Sequence, residues 1–408
     1  MDHFAIDLGS RESQVCVRDE KGQIVLERRV LTRILPTLMR KQAPCRVVME
    51  TCAEAFGVAD AALEMGHQVR VVPATLVRAL GVGARGIKTD IRDARVLSEA
   101  SVRIDLPSVH VPTMSSRDGK AMCNMRDVLV KARTMLINAE RGYLRTKAIK
   151  VIRGDSETFP TRLEKTLVKL ATKEPSSTKV SATPASAAPP ASAIKKGSSK
   201  GRKAAKASSD AQPSSTTPAA TKFPSGLSAS GALPVFADRV VCAVGQLTEW
   251  IEQADQELAE RVAPDPICQR LMTIPGVGPV CSTRFVTTLD TVERFATVAQ
   301  LQSYLGLVPG EHQSGDKQRR TKTIKCGAAQ ARSALVQSAW CLYRTRKTDP
   351  IVVWALEVEK RRGRKIAIGA LARKLAAVMF VIWRDGTTYN PFHATHKNSK
   401  QSEVSSTD

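Results

Sequence analysis

The feature that most constrains the fold of this chain is a long central segment that cannot build a core. From about residue 174 to 233 the sequence is dominated by Ser, Ala, Pro, Thr and Lys, as in SATPASAAPPASA. The segment contains few large apolar residues, and their burial cannot offset the conformational entropy that the chain would lose on ordering. It is therefore predicted to be a disordered insert. The tail at 391–408 is predicted to be disordered as well, which leaves two foldable regions, 1–173 and 234–390.

The charge of the chain points to an anionic polymer as its partner. The 408 residues include 62 Lys and Arg against 39 Asp and Glu, a formal net charge of +23. The insert carries only a small part of this excess, so most of the basic surface belongs to the folded regions and nucleic acid is the first candidate.

A membrane location is not expected from the sequence. The longest purely apolar run near the C-terminus, AAVMFVIW, is far shorter than the roughly 20 residues of a spanning helix. The N-terminus has neither the basic nor the apolar region of a signal peptide. We therefore expect a cytoplasmic protein with no membrane partner.

The first 105 residues alternate between strand and helix patterns. Apolar runs such as HFAIDLGS, CRVVME and QVRVVPA predict strands, and AFGVADAALEMG and KTDIRDARVLSEA predict helices. The order is three strands, a helix, a strand, a helix, a strand and a helix. This succession predicts an α/β ribonuclease-H-like domain over residues 1–115.

The rest of the chain is predicted to be mainly helical. Residues 125–149 and 236–262 carry apolar side chains at helical spacing, which predicts two long antiparallel helices with the insert at their tip. We assign this helical connection to residues 116–173 and 234–263. Residues 264–390 then form a C-terminal, mainly α domain.

Four acidic residues are predicted to meet at one end of the N-terminal sheet. Asp7 lies in the first strand and Glu50 ends the fourth, and these strands are neighbours in a ribonuclease-H-like sheet. Asp90 and Asp93, three residues apart on one helix, would share a face that packs across that end. Gathered carboxylates raise one another's pKa values unless a divalent ion keeps them ionised, and all-oxygen ligands suit Mg²⁺ or Mn²⁺. The pattern therefore predicts a metal site for phosphodiester chemistry.

Basic residues accompany the acids of this helix. Lys88, Arg92 and Arg95 are predicted to contact the phosphates that flank the metal site. The structural alternative is a solvated helix whose acids pair with its arginines.

A glycine-containing turn in the second half resembles a helix-hairpin-helix. The sequence LMTIPGVGPVCSTRFV (271–286) places Gly276 and Gly278 between two helical stretches. Such glycines permit a tight turn, and the amides at the start of the next helix can bind a DNA phosphate without reading sequence. A Pro-Gly turn that joins two core helices is the alternative.

A serine among basic residues is the second candidate for chemistry. Ser314 is predicted to lie on a polar, glycine-rich loop, and the nearby cations Lys317, Arg319, Arg320 and Lys325 are predicted to bind nucleic acid. A serine hydroxyl needs a base, a metal or cations before it can act as a nucleophile. By local chemistry alone a serine in this position is most often a turn residue that bonds its own backbone, and His312 is either its base or a loop residue.

Several stretches, taken together, resemble one family of enzymes. They are AIDLGS, VVMET, KTDIRDARVL, IPGVGPV, RFATVAQLQSYLGLVPGEHQSGDKQRR, IKCGAAQARSALVQSA and ALARKLAAVMFVIWRDGTTY. In this order they resemble the bridge-RNA-guided transposases of the insertion sequence 110 type, to which the Piv DNA invertases are related. The resemblance covers both folded regions and leaves out the insert and the tail.

The resemblance implies a fold, a chemistry and partners. It implies a RuvC-like domain whose Asp-Glu-Asp-Asp set falls on Asp7, Glu50, Asp90 and Asp93, then a coiled-coil connection and a C-terminal transposase domain whose nucleophilic serine falls on Ser314. It further implies donor and target DNA, a structured guide RNA, a homo-oligomer (dimer or tetramer) and excision and insertion of the chain's own mobile element through a serine–DNA link. Two departures are the residues Thr51-Cys52-Ala53, where the family usually has Thr-Gly after the glutamate, and the long insert.

Two other functions remain open at this point. One is a RuvC-like, structure-selective nuclease that uses metal-activated water without a covalent step. The other is a non-enzymatic helix-hairpin-helix protein that binds DNA and whose acids are structural.

Overall fold

The computed structural model describes residues 1–79, 89–171, 235–314, 317–324 and 326–392. The predicted insert at 174–233 lies outside the described residues, as does the tail after residue 392. The chain divides into two compact units, one of residues 1–124 and 257–408 and the other of residues 125–256. The N-terminal α/β region and the C-terminal helical region therefore belong to the same unit.

The N-terminal region is built on a five-stranded mixed sheet. Its strands are β1 (His3–Asp7), β2 (Glu12–Arg18), β3 (Ile24–Leu31), β4 (Arg46–Glu50) and β5 (Gln68–Val72), in the order β3-β2-β1-β4-β5. β1 pairs antiparallel with β2 and parallel with β4, and β4 pairs parallel with β5. The helices are α1 (Leu35–Met39), α2 (Ala55–Glu64), α3 (Ala74–Ala79) and α4 (Asp90–Arg103). The predicted mixed α/β architecture is confirmed.

Both faces of the sheet are covered, which explains why its central strands are apolar throughout. On one face, Phe4 and Ile6 of β1 pack in a cluster with residues of α1 and α2. On the other face, Ala5 and Val48 pack with Leu97 of α4. Because side chains alternate along a strand, every second residue of β1 and β4 points toward the α4 side.

The C-terminal region is mostly helical, as predicted, and includes one β-hairpin. The helices are α8 (Pro266–Met272), α9 (Pro279–Leu289), α10 (Val298–Tyr304), α11 (Ala329–Thr345), α12 (Pro350–Arg362) and α13 (Arg364–Asp385). The hairpin strands are β6 (Pro309–Ser314) and β7 (Lys317–Thr323). One large apolar cluster joins α8 to α13 and includes Phe285, Leu335, Leu371 and Phe380.

Helix α13 is long and apolar enough to span a membrane by length and composition alone. The sequence analysis counted only the uninterrupted run AAVMFVIW, and the apolar residues before Arg373 and Lys374 make the helix longer than that run. Residues Leu371, Leu375, Met379 and Phe380 are nonetheless fully buried in the C-terminal core. The helix is therefore the central core helix of this region, and no membrane protein is indicated.

The second unit, residues 125–256, contains parts of two long helices and the whole of a shorter helix. They are α5 (Met114–Thr146), α6 (Phe159–Ala171) and α7 (Val235–Val262), and their core includes Ile137, Leu163 and Val241. Arg126 Nη2 donates to Asp255 Oδ2 at 3.0 Å, and Arg133 Nη1 donates to Thr248 Oγ1 at 3.1 Å. Because partner numbers on α7 fall as those on α5 rise, the two long helices run antiparallel. Helix α6 was not expected from the sequence.

A hydrogen-bonded aspartate ties the connection between α4 and α5 to the end of α9 within the first unit. Asp290 has a φ of +67°, which is rare and strained for a residue other than glycine. Its carboxylate is 2% exposed, lies 2.7 Å from His110 Nε2, and accepts from Thr113 Oγ1 at 2.6 Å. Burial alone would raise the pKa of Asp290, but hydrogen bonds from Ser116, Thr113 and His110 outweigh it and lower the pKa to about 2.

Replacing Asp290 with asparagine is expected to reduce the free energy of unfolding of the first unit by about 2 kcal/mol at pH 7. The folded-state pKa is depressed, so this stabilisation is present above the ordinary aspartate pKa of about 4 and is lost as the pH falls toward 2. Urea denaturation of both proteins at pH 7 and pH 3 measures it, and the difference should shrink at pH 3. Asp105→Asn, an exposed control, should change stability by less than about 0.5 kcal/mol. An Asp290→Asn protein as stable as wild type at pH 7 would refute this assignment.

Candidate active site

Two of the predicted acids stand side by side at the carboxyl ends of β1 and β4. The parallel register pairs His3 with Arg46 and Ile6 with Met49, so Asp7 and Glu50 are the next residues along each strand. Neighbouring strands lie about 5 Å apart. Asp7 falls on the face of Ala5, and Glu50 falls on the face of Val48, so both belong to the α4 side of the sheet. Each residue is half-buried.

Asp93 of α4 lies on the helix face that is turned toward this sheet. It is 6% exposed, and Leu97, one turn later, packs on Ala5 and Val48. His3 Nδ1 lies 2.7 Å from Ser101 Oγ, which fixes the level of the helix against β1. The rise along α4 from Ser101 back to Asp93 is about 12 Å. The rise along β1 from His3 to Asp7 is about 13 Å, nearly the same. Asp93 therefore stands near the level of Asp7.

Asp90 lies apart from the other three acids. Its side chain is 63% exposed, and Arg29 Nη2 lies 3.8 Å from Asp90 Oδ2. Arg29 lies on β3, opposite Gln14 of β2. Asp90 and Asp93 therefore differ in exposure, 63% for the side chain of Asp90 against 6% for Asp93, and their joint role in a metal site stays a prediction. Residues i and i+3 differ by about 60° around a helix, which here separates the sheet face from solvent.

The acids at the sheet edge fit a hard divalent cation in their chemistry. In the ranges 1–79, 89–171, 235–314, 317–324 and 326–392, no group of three or more His, Cys, Asp or Glu is close enough to hold a metal ion. Mg²⁺ does not need such a cage, because it is usually bound through one or two carboxylates, with water and substrate phosphate as its other ligands. Asp7 and Glu50, at the ends of adjacent strands, are two carboxylates of this kind.

The basic residues near α4 have different environments. Arg92 is exposed in the first turn of α4, where its backbone amide donates to Thr89 Oγ1 at 3.4 Å. Arg95, expected to contact phosphate, instead makes a bidentate ion pair with Glu27, with both distances 2.6 Å. Lys88 lies outside the described residues.

Ser314 is the last residue of β6 and lies opposite Lys317 of β7. The prediction of a loop was wrong at this point, because the serine belongs to a strand. In the antiparallel register His312 is opposite Arg319, so positions 312, 314, 317 and 319 fall on one face of the hairpin. Arg320 is opposite Glu311 on the other face. Lys325 lies outside the described residues.

The base of this hairpin is held by two glycines that approach each other's backbone. Gly306 has a φ of +65° and Gly327 a φ of +83°. A Cβ atom on Gly327 would stand 2.1 Å from the carbonyl oxygen of Tyr304, and one on Gly306 would stand 2.0 Å from that of Cys326. Arg332 Nη1 of α11 donates to the carbonyl oxygens of Leu305 and Cys326, at 2.8 and 3.1 Å. The glycines and Arg332 thus fix where the hairpin leaves the helical core.

Replacing Gly327 with alanine is expected to displace the hairpin and reduce DNA strand cleavage by about 10²-fold. The added Cβ meets a backbone oxygen and the backbone conformation is left-handed, so the chain must shift by an ångström or more. Cleavage rates and thermal denaturation of the purified variant measure the two effects separately. Gly369→Ala, on α13 with open space around it, is the matched control and should keep full activity. Unchanged cleavage by Gly327→Ala would contradict a fixed hairpin.

The turn between α8 and α9 packs against the helical core. Gly276 has a φ of +84°, and a Cβ there would stand 3.0 Å from the carbonyl oxygen of Ser338 on α11. Val277 is 5% exposed in the core. Gly278 is the residue before α9, and a Cβ there would meet nothing within 4 Å. The close approach to α11 explains why position 276 is a glycine. The open space beside Gly278 leaves the start of α9 accessible.

A cleft of about 620 Å³ is lined by residues of both the N-terminal and the C-terminal region, and Asp7, Glu50, Asp90 and Asp93 are not among its lining residues. Thr51, which follows Glu50, lies on one side, and Gly327 and the start of α11 lie on the other. The described lining residues include three cations, Lys120, Arg284 and Arg294, and no acid. The cleft therefore offers a positive surface that includes Thr51, the neighbour of Glu50 in sequence, and Gly327 at the base of the hairpin.

The cations of this cleft were not identified from the sequence. Arg284 is 6% exposed, and its Nη2 donates to the carbonyl oxygen of Cys123 at 3.0 Å. Arg294 stacks on the rings of Phe295 and Tyr304 at 5.2 Å each. The sequence signal that could have indicated this cleft was Arg284, which lies within the largely apolar stretch VCSTRFV. Burying an arginine without a partner is costly, so its presence there indicates a bound or bonded group.

Comparison with known protein families shows that the N-terminal and the C-terminal region both match models of transposases. Residues 268–350 match the family model described as "Transposase IS116/IS110/IS902 family", and residues 4–148 match the model of the DEDD transposases of IS110 elements, described as "Transposase". Together the two matches cover more than half of the chain. They include the sheet, α4, the turn before α9 and the serine hairpin.

Similar proteins extend over nearly the whole chain. A "Probable family 20 transposase" of Pseudomonas aeruginosa is 25% identical over 96% of this chain and 99% of its own length. A "Transposase for insertion sequence element IS1111A" of Coxiella burnetii is 25% identical over 95% of this chain and 90% of its own. A "Transposase for insertion sequence element IS1328" of Yersinia enterocolitica is 25% identical over 95% and 98%.

Proposed function

Because this chain belongs to the IS116/IS110/IS902 family of transposases and is therefore a DNA-cleaving and strand-transfer enzyme, we propose that it is an RNA-guided, site-specific recombinase. It excises and inserts its own insertion sequence, with Ser314 as nucleophile and the strand-end carboxylates as its metal ligands. The observation that supports this proposal is the cation-lined cleft, whose lining residues include Thr51, next to Glu50 in sequence, and Gly327 at the base of the serine hairpin.

The N-terminal domain is of the ribonuclease-H-like, RuvC-like type. The strand order β3-β2-β1-β4-β5, in which β2 alone runs against the others, supports this assignment. So does the placement of Asp7 and Glu50 at the ends of adjacent parallel strands beneath α4.

Ser314 supplies the covalent step. Its hydroxyl oxygen forms a bond to the phosphorus of the scissile phosphodiester, the bond from phosphorus to the 3′ oxygen breaks, and the serine proton passes to a base while the 3′ oxygen takes up a proton. The 5′-phosphoserine link stores the energy of the phosphodiester, so rejoining to another 3′-hydroxyl requires no ATP. Lys317 and Arg319, which share the hairpin face of Ser314, stabilise charge on the transferred phosphate.

Asp7 and Glu50, with Asp93, hold Mg²⁺ (or Mn²⁺) at the edge of the sheet, where the ion polarises the phosphate when bound. Asp90 completes the family's set of four acids from the solvent side of α4. Lys120, Arg284 and Arg294 orient the phosphates of the bound strand along the cleft.

DNA is the substrate, and a structured guide RNA and further copies of the chain complete the assembly. The net charge of +23 supports binding of two polyanions at once. Further contacts to the nucleic-acid backbone come from Arg92 of α4 and from the turn at Gly276 and Gly278. Arg320 and Lys325, near the hairpin, contact the backbone as well. The cytoplasm of the host cell is where such an element meets its target.

The proposal is tested by a search for the covalent intermediate. Purified protein, the noncoding RNA from the ends of its element and end-labelled junction DNA are mixed with Mg²⁺, and denaturing gels are searched for labelled protein. Mass spectrometry of the nuclease-trimmed adduct should find a nucleotide on Ser314. Efficient cleavage with free ends and no adduct would instead favour a nuclease that uses metal-activated water.

A further inference from the structure

A small pocket lies at the C-terminal end of α5, within the second unit. Its volume is about 260 Å³. One half of its lining is apolar, and the residues of that half are Leu144, Ala148, Ile149 and Val151. The other half is basic, and its residues are Arg141, Arg145, Lys150 and Arg153. The described residues that line this pocket therefore combine an apolar surface with four cations and include no acid.

The backbone holds the end of α5 in a fixed conformation. Ala148 has a φ of +58°, the left-handed conformation that commonly ends a helix. Its amide donates to the carbonyl oxygen of Arg145 at 3.0 Å, and the amide of Ile149 donates to that of Leu144 at 2.9 Å. Because the chain bonds its own terminal carbonyl groups in this way, the nearby cations are not needed as a helix cap.

Arg162 of α6 fixes the segment that follows α5. Its Nη1 donates to the carbonyl oxygen of Ile152 at 2.5 Å, and its Nε donates to Thr158 Oγ1 at 3.1 Å. Its Nη2 donates to the carbonyl oxygen of Asp155. The pocket is therefore held in shape without a ligand, which lowers the entropy that binding costs.

The four cations of the pocket are not neutralised by neighbouring acids. Residues 141–154 contain five Lys and Arg and no Asp or Glu. Within the part of the chain that the structure describes, none of the four forms an ion pair, and Glu157 lies 3.8 Å from Arg133 instead. The guanidinium of Arg141 lies 5.4 Å from the centre of the buried Phe159 ring, which holds it beside the pocket. The cations repel one another, and a bound anion would relieve that repulsion.

A nucleotide of an unpaired strand offers both properties that this pocket requires. Its phosphates are anionic and fit the cations, and the flat face of its base fits the apolar side chains of Leu144, Ile149 and Val151. The volume is below the roughly 300 to 1,000 Å³ of pockets for whole small molecules and suits a single base. A free phosphate ion would leave the apolar half uncovered, and a base stacked inside a duplex could not enter.

We propose that this pocket binds one unpaired nucleotide, with the base against its apolar half and the flanking phosphates on its four cations. The inference goes beyond the proposed function, which gives the second unit no contact with nucleic acid. A loop of a guide RNA and a strand of opened DNA present the same chemistry, and the experiment separates them. Binding requires neither DNA cleavage nor Ser314, so the covalent-adduct experiment and this proposal can fail independently.

Photocrosslinking locates the bound base. The full-length protein is mixed with EDTA and with single strands of about 12 nucleotides that carry 4-thiouridine in RNA or 4-thiothymidine in DNA, and the mixture is irradiated. Mass spectrometry of the digested protein should find nucleotide adducts within residues 144–151. Adducts found only outside this segment would overturn the proposal.

Two double variants of equal charge test the role of the cations. Arg145→Glu combined with Lys150→Glu should weaken binding of the single strands at least 10-fold and lower the slope of log affinity against log salt by about 1.4. Lys147→Glu combined with Lys165→Glu is the matched control, because both lysines are exposed in the same unit but do not line the pocket. The control should bind within about 2-fold of wild type. Thermal denaturation should show that both double variants are folded, since all four positions are exposed.

Duplex DNA of the same length completes the experiment. Its affinity should be the same for the wild type and the pocket variant, because a stacked base does not enter the pocket. Tighter crosslinked binding of RNA identifies a guide RNA as the source of the nucleotide, and tighter binding of single-stranded DNA identifies an opened DNA strand. An equal loss in both double variants, or an equal loss for duplex and single strand, would show binding by charge alone and would overturn the proposal.

Discussion

Replacing Ser314 with alanine is expected to abolish the protein–DNA adduct and to reduce recombination by at least about 10³-fold. The hydroxyl is the only group removed, and Ser314 lies at the end of β6, where alanine is compatible with the strand. The variant should therefore fold normally and bind DNA and guide RNA with unchanged affinity. Gel-based detection of the adduct and binding titrations, measured side by side, separate chemistry from binding.

Ser303→Ala is the matched control for this experiment. Ser303 is an exposed serine on α10, close in sequence to the hairpin but on a helix. The Ser303→Ala protein should form the adduct at the wild-type rate. If the adduct persists in Ser314→Ala, another residue is the nucleophile, and if cleavage continues without any adduct in both proteins, the enzyme hydrolyses DNA.

Asp7→Asn and Glu50→Gln are expected to have the second largest effect, a loss of about 10³-fold in DNA cleavage for each. Both changes keep the shape of the side chain and remove the negative charge that we propose binds a divalent ion at the ends of β1 and β4. Because each also removes repulsion between neighbouring carboxylates, thermal stability without metal should be unchanged or slightly higher. Cleavage rates across a Mg²⁺ and Mn²⁺ titration, together with thermal denaturation, measure both quantities.

An acid at the opposite end of the same sheet provides the control. Asp105 is 76% exposed and lies 3.3 Å from Arg70 Nη2 and 3.8 Å from Arg46 Nη1, near the start of β4 and β5. Asp105→Asn should leave cleavage and its metal dependence as in wild type. Wild-type cleavage by both Asp7→Asn and Glu50→Gln would exclude a metal site at this edge.

The sheet and its acids could be predicted from the sequence because the signals are local. The apolar runs around Asp7 and Glu50 define strands, and the order of strands and helices selects few topologies. The different environments of Asp90 and Asp93 could not be predicted in this way. They depend on how α4 crosses the sheet, which is fixed by distant contacts such as His3 with Ser101.

The serine hairpin shows where sequence patterns fail. The strand KQRRTKT carries no apolar alternation, so its charged sequence has the composition of a loop. The close approach of Gly306 and Gly327, and the burial of Arg284 beside the cleft, also depend on tertiary contacts. The cations around Ser314 made it a candidate from the sequence, and the family resemblance favoured a nucleophile over a turn residue.

The central claim, that the sheet-edge carboxylates and the serine hairpin act at one metal-bound cleft, is tested most directly by iron-mediated affinity cleavage of the DNA-bound protein. Fe²⁺ replaces Mg²⁺, peroxide and ascorbate generate short-lived radicals at the ion, and mass spectrometry maps the cut peptide bonds. The account predicts cuts near residues 5–9 and 50–53 and also within 305–330, all lost in Asp7→Asn. Cuts confined to the sheet edge, or cuts that persist in Asp7→Asn, would contradict it.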